Sequence, residues 1–316
     1  MATQTTSING AVAALEAEPL MVGMSLTQLA LRRLRRDYLT LVALAILITF
    51  GILAASASFI SNEILHVDYR ATSTVRAELF MPVGTRGHLL GTDDLGRDHL
   101  ARILYGGRVS LSVATASALL SLTIGATLGL IAGYNQGGRF KFIDDGLMWF
   151  ITTLNSIPGL YLLILIASVM RPTLTSLILV LCIFSWTFTM RLVRGQTLAI
   201  RETDYIMAAR AMGAGPFRIM FVHILPNVIS VLVIDTATNI GYLILLESAL
   251  SFLQLGVREP TPSWGNMLVK SQSFFRTGPH LVIIPGLLIV ITVLCTYLIG
   301  DGIRDAFDPQ ATNKKI

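Results

Sequence analysis

Apolar residues fall into six long blocks along this chain, with polar residues gathered between them. A helical bilayer crossing needs about 20 apolar residues. Residues 38–60, 109–134, 146–170, 172–190, 227–257 and 277–300 come close to or exceed that length. The blocks are continuous rather than alternating, which excludes a membrane β-barrel and predicts an all-α, polytopic membrane protein with six transmembrane helices. Ala, Gly, Ser and Thr crowd the second block, a composition that suits close helix–helix packing. Asn155, Ser156 and Pro158 interrupt the third, and a proline there predicts a kink near its middle. Asp235 and Glu247 lie inside the fifth, and the sixth contains Pro285.

Composition agrees with the pattern. The 316 residues are 53% hydrophobic and 14% charged, and the mean hydropathy is +0.68. A soluble domain carries about a quarter charged residues. The net charge of +5 comes from basic residues spread through the connecting segments, which fits lipid headgroups and topology rather than nucleic acid. Cys182 and Cys295 both sit in apolar blocks and read as small buried hydrophobes, with no disulfide framework. The N-terminus lacks the basic-then-apolar order of a secretory signal. Arg32, Arg33, Arg35 and Arg36 precede the first span, while only Arg70 and Arg76 closely follow it. That flank favours a cytoplasmic N-terminus, although the difference summed over the chain is small.

Six spans from an inside start place both termini in the cytoplasm. The organisation is then a tail over 1–37, a first span over 38–60, an external loop over 61–108, a five-span core over 109–300 and a tail over 301–316. The loop at 191–226 is cytoplasmic, and 258–276 is external. Residues 25–37 fit either an interfacial helix, with Leu26, Leu29 and Leu34 toward lipid, or a disordered basic lead-in.

The 191–226 loop has a readable local structure. Thr203 can cap a helix by accepting a backbone N–H, and Asp204 and Tyr205 open it. Ala208 and Ala209 keep one face small, with Arg210 beside them. Gly213 can adopt the left-handed conformation that ends a helix, and Pro216 can start the next. Met212, Phe217, Met220 and Phe221 offer apolar surface for a groove. Taken alone, these residues fit either a docking element or a plain connector between spans.

Three stretches together resemble one family. The first is His88-Leu89-Leu90-Gly91-Thr92-Asp93-Asp94-Leu95-Gly96-Arg97-Asp98, followed by Arg102 to Leu111. The second is Asp204 to Gly213, running on to His223-Ile224-Leu225-Pro226-Asn227. The third is Leu246-Glu247-Ser248-Ala249-Leu250-Ser251 to Val257, with Pro260-Thr261-Pro262-Ser263-Trp264-Gly265. In this order they resemble the C-type permease subunit of dipeptide/oligopeptide (peptide/nickel) ABC importers. The resemblance implies a type I importer fold in the bacterial inner membrane. It implies half of a translocation pore, completed by a homologous B-type permease. Two ATP-binding subunits and an extracytoplasmic solute-binding protein are the implied partners, along with membrane lipid. It also implies that Thr203, Asp204, Tyr205, Ala208, Ala209, Arg210, Met212, Gly213 and Phe217 form the ATPase-coupling element. Two positions depart from the pattern: Met207 stands where the family usually has Glu, and His223 where the broader pattern favours Ile.

No Gly-x-x-x-x-Gly-Lys-Ser/Thr phosphate loop occurs in the chain. The chain is therefore expected to bind no cofactor and to have no catalytic residue, with ATP and Mg on the partner ATPases. His66, His88 and His99 lack ligand-like spacing, and no metal is expected. A carboxylate within a bilayer needs a cavity or a partner. Asp235 and Glu247 are twelve residues apart, which puts them about 120° apart around an ideal helix. For Asp235 the simpler reading is a structural hydrogen bond. For Glu247 a place on the translocation path or subunit interface stands beside a structural bond to Asn239, Ser248 or a neighbouring helix. Asn155, Pro158, Asn239 and Ser251 are candidates for the same path. Asp93, Asp94, Arg97 and Asp98 fit external docking or gating. They also fit a loop closed by its own ion pairs, with Asp93, Asp94 and Asp98 against Arg97 and Arg102. Trp264, also a candidate for external docking or gating, lies in a proline-stiffened external hairpin and is expected near the membrane interface, and the resemblance implies that the hairpin reaches toward the pore mouth.

Other readings keep the importer with nickel, glutathione or haem as cargo, or replace it with an ion-coupled secondary transporter using Asp235 or Glu247.

Overall fold

The computed structural model describes residues 26–85, 87–138, 140–169 and 173–307. The tail at 1–25, the end of the third apolar block at Met170, the start of the fourth at Pro172 and the tail at 308–316 lie outside these residues. The described elements are helical apart from two isolated bridges, Thr85 with His88 and Thr92 with Asp98.

A short helix α1 (Leu26–Leu34) leads into α2 (Tyr38–Ala55), α3 (His99–Asn135), α4 (Lys141–Asn155) and α5 (Gly159–Val169). Then follow α6 (Leu174–Arg201), α7 (Asp204–Ala211), α8 (Leu225–Phe252), α9 (Ser271–Thr277) and α10 (His280–Phe307). Among the described residues, five continuous helices are long and apolar enough to cross a membrane. The sixth expected span is not one rod: α4 and α5 meet at 85°. The sequence anticipates a kink, and the structure makes it a full break. Pro158 lacks an N–H and disfavours helical geometry at Ile157, so the ladder ends at Asn155 and restarts at Gly159.

Helix α3 begins ten residues before the apolar block at 109–134, because Asp98 accepts the Ala101 N–H at 2.7 Å and caps the helix. Its 37 residues span about 55 Å at 1.5 Å per residue, more than the hydrocarbon thickness. Its main partner is α6. Gly125, Gly129 and Gly133 recur every fourth residue on the shared face. A Cβ at each would stand 2.7 Å from the Thr189 Cβ, the Met190 carbonyl oxygen and the Thr197 Cβ, respectively. This is the small-residue packing expected from the composition of the second block. Around it lie the buried side chains of Leu130, Leu181, Met190 and Val193. Helix α10 packs on α8 and α2, closing the bundle.

Helix α1 packs on α10, with Ala30 buried and Arg33 donating to the Ala306 carbonyl at 3.4 Å. Leu29 and Leu34 are half-buried, whereas the side chain of Leu26 lies outside the described set.

Candidate functional site: the connector between α6 and α8

Helix α6 runs on past the apolar block at 172–190 to Arg201, whose guanidinium turns back onto the end of α3. It donates to the carbonyls of Gly133 (2.9 Å), Tyr134 (3.3 Å) and Gln136 (2.7 Å). A cation therefore sits on carbonyls that the helix end leaves unpaired. The chain then turns into α7. Thr203 stands at the N-cap, but its hydroxyl donates backward to the Ile200 carbonyl at 2.6 Å and makes no cap bond. The expected cap is thus replaced by a bond that ends α6. Gly213 adopts φ +86° and Pro216 opens the next turn, both as the sequence indicates. A π-turn over Ile219–Ile224 then merges into α8.

Ile206, Ile219, Met220 and Ile224 point inward and pack with Leu130, Val193 and Val228, and Ala209 is also buried. This cluster anchors the connector on the ends of α3 and α6. Two expectations change here. Ala208 is exposed and Ala209 buried, so the two do not share an outward face, as their 100° separation on a helix requires. Met220 is in the core rather than on the surface. Tyr205, Met207, Met212, Phe217 and Phe221 remain outside, with Met212 and Phe217 84% and 75% exposed. Phe217 and Phe221 stack with centroids 6.4 Å apart. Asp204, Arg210 and Gly213 are exposed beside them, and the Arg210 guanidinium lies 5.8 Å from the Tyr134 ring centre. The result is an exposed apolar ridge on a rigid root.

The intramembrane carboxylates divide between two neighbours. Asp235 accepts from Thr189 of α6 at 2.6 Å. Glu247 is fully buried and accepts from Ser110 of α3 at 2.8 Å and Ser251 of its own helix at 2.7 Å. Their angular separation on α8 directs one to α6 and the other to α3. Neither bonds Asn239, which is half-buried. Asn155 and Pro158 lie exposed at the break between α4 and α5.

At the opposite end of α3, the 91–98 turn is held by ions. Arg97 donates to Asp93 at 2.7 Å, and Arg102 approaches the same carboxylate at 3.4 Å. Asp98 pairs with His88 at 2.7 Å rather than with an arginine, because its other oxygen caps α3. Asp94 pairs with Lys270. The internal pairs expected for Asp94 and Asp98 are thus replaced by Lys270, far along the chain, and by His88, ten residues earlier. Glu259 completes the network with bonds to Arg97 at 3.1 and 3.2 Å and to Arg102 at 3.1 Å. Sequence reasoning missed Glu259, since 162 residues separate it from Arg97. Burial pushes the Glu259 carboxyl up, but the bonds and charge of Arg97, with Arg102 and Lys270, hold it below its ordinary value. Burial opposes the Arg97 charge, and Glu259 and Asp93 more than reverse it.

Trp264 corrects another expectation. It is 3% exposed, so it sits inside the protein rather than at the lipid interface. Its indole donates to the Ile103 carbonyl at 3.1 Å, and its ring lies over Gly107, where a Cβ would come within 2.8 Å. His66 bonds the Asn62 carbonyl, and among the described residues no group of three metal-ligating side chains forms.

These features define a helical, multi-pass membrane protein with the fold of a transport permease. One chain of the methionine ABC transporter MetNI, solved in inward-facing conformations, shares this fold. Its TM-score is 0.55 at 21% identity, and the match covers 65% of this chain and 96% of that one. Residues 125–313 match the family described as binding-protein-dependent transport system inner membrane component, and this chain belongs to it. A glutathione transport system permease protein of Pectobacterium atrosepticum is 42% identical over 71% of this chain and 73% of its own length. A dipeptide transport system permease protein of Alkalihalophilus pseudofirmus is 36% identical over 89% of each chain. Its counterpart in Haemophilus influenzae is 36% identical over 83% of this chain and 88% of its own. Members of the family are permease subunits, not themselves catalytic.

Proposed function

We propose that this chain is the permease subunit of an ATP-driven peptide importer, with short peptides as cargo and glutathione as a specific alternative. Its relatives include dipeptide and glutathione permeases, and near-full-length coverage supports carrying the peptide class over. One observation carries the mechanism: the apolar ridge of Tyr205, Met207, Met212, Phe217 and Phe221 stands exposed on a buried root at the end of α6. A partner ATPase, which binds the ATP and Mg, covers that ridge. A second permease chain supplies the other half of the pore, with one ATPase on each half and a solute-binding protein on the opposite face. The ridge faces the cytoplasm, both termini lie on that side, and the membrane is the bacterial inner membrane. ATPase closure moves α7, and the ion-paired and close-packed helices above it shift together, which changes the relative stability of two access states. Asn155 and Pro158, at the break in the third span, line the moving path with Asp235, Asn239, Glu247 and Ser251 beside it.

The test is co-purification in mild detergent of wild type beside Gly213→Asp. Co-purifying ATPases and a second permease, with ATPase activity uncoupled from transport in the variant, are expected. A chain that purifies alone and transports peptides without ATP overturns the reading in favour of ion coupling through Asp235 or Glu247.

A further inference from the structure

A cavity of about 380 Å3 opens between the 91–98 turn, the end of α8, the 256–270 segment and α9. Its wall includes four cations, Arg97, Arg102, Arg258 and Lys270, against three carboxylates, Asp93, Asp94 and Glu259. The three acids are committed to Arg97, Arg102 and Lys270. Arg258 is exposed and has no ion pair among the described residues. Deeper in the wall, Arg102 is 3% exposed and its Nη1 has no hydrogen-bond partner. His99, 1% exposed and also in the wall, has an unpartnered Nε2. Buried guanidinium N–H groups are ordinarily satisfied, and an unmet one at a cavity calls for an acceptor.

The lip of the cavity is itself unusual. Gln254 follows the end of α8 at φ +63°, a left-handed conformation in which glycine is the favoured residue. Its side chain is exposed in the cavity wall, an amide held where backbone geometry alone would place none.

We propose that this cavity binds a carboxylate group, with Arg258 and Gln254 at its mouth and Arg102 in its deeper wall. Resting on the importer reading above, the carboxylate is the free C-terminus of the peptide cargo, received before it passes into the pore. A planar guanidinium suits such a group because its N–H donors match the two carboxylate oxygens. The volume suits a chain end rather than a folded partner.

The experiment uses the assembled importer in nanodiscs, without the solute-binding protein, and titrates acetate, dialanine and dialanine amide calorimetrically. Acetate and dialanine are expected to bind, with the amide weaker by about ten-fold, the scale of a lost charge-assisted contact. Gln254→Gly combined with Arg258→Ala is expected to weaken dialanine by about ten-fold or more. Its melting temperature is not expected to fall, since glycine relieves the left-handed position. Equal binding of dialanine and its amide, no binding of either, or binding unaffected by the double variant overturns the proposal. Uptake driven by ATP and the binding protein separates the two readings. Wild type that imports no peptide yet still binds dialanine through these residues leaves the site standing and removes the importer. Intact uptake with no binding difference does the reverse.

Discussion

Arg194 of α6 grips both carboxylate oxygens of Asp144 in α4, at 2.6 and 2.7 Å. Asp144 is buried, so the pair joins the helix that roots the connector to the helix that leads into the break at Asn155. Asp144→Asn is expected to destabilise the assembled protein by about 1.5 kcal/mol, because the half-buried Arg194 guanidinium loses a charged acceptor. Thermal unfolding in detergent checks this. The exchange Asp144→Arg with Arg194→Asp is expected to recover part of the loss. No recovery would mean that each side chain acts through other contacts.

The α3–α6 seam leaves no room at its centre. Gly129→Ala places a methyl against the Met190 carbonyl oxygen, which is backbone and yields little. Overpacking of this kind costs about 1–3 kcal/mol. An unchanged unfolding temperature would show that the seam relaxes more easily than its geometry indicates.

Acid should loosen the ion network around Glu259. The carboxyl is depressed in the folded protein relative to its ordinary value of 4.5. Its contribution is therefore fully present above that value and is lost as pH falls through the lower folded pKa. The melting-temperature gap between wild type and Glu259→Gln is expected to be constant near neutral pH and to close in acid. A gap that widens in acid would contradict the sign.

The exposed ridge gives a prediction about coupling rather than folding. Phe217→Asp puts a charge where a partner must bury an aromatic ring, and it is expected to lower transport-coupled ATPase activity by about ten-fold or more. Melting of the chain should stay within about 0.5 kcal/mol of wild type, as for other exposed positions. Met207 is also exposed, and the resemblance read from the sequence leads one to expect Glu at its position. Met207→Glu is expected to raise the coupled ATPase rate; an unchanged rate would mean that the departure has no effect on docking.

Much of this architecture is written locally. Continuous apolar blocks need only bilayer thickness to predict helices, and Pro158 breaks the third because it lacks an N–H. Gly213 and Pro216 act through their own backbone torsions, so the turn between α7 and the next helix was legible as well. The three family stretches, read in order, pointed to a permease that the fold and relatives then showed.

Other features arise only when distant segments meet. The apolar pattern placed the second span at 109–134, yet α3 starts at His99 because its polar first turns are buried by protein rather than exposed to lipid. Trp264 looked interfacial until Ile103, Gly107 and Ser110 closed over it. Thr203 is a local exception: it has the chemistry of a cap, but the Ile200 carbonyl three residues back takes its hydroxyl. Asp94 and Asp98 had nearby arginines, yet Lys270 and His88 took them, while Glu259 took the arginines. Residue type and spacing determine which local conformations are cheap. Which charges meet, and which polar groups are left for a ligand, depends on contacts between helices far apart in sequence, and the tertiary structure alone decides those.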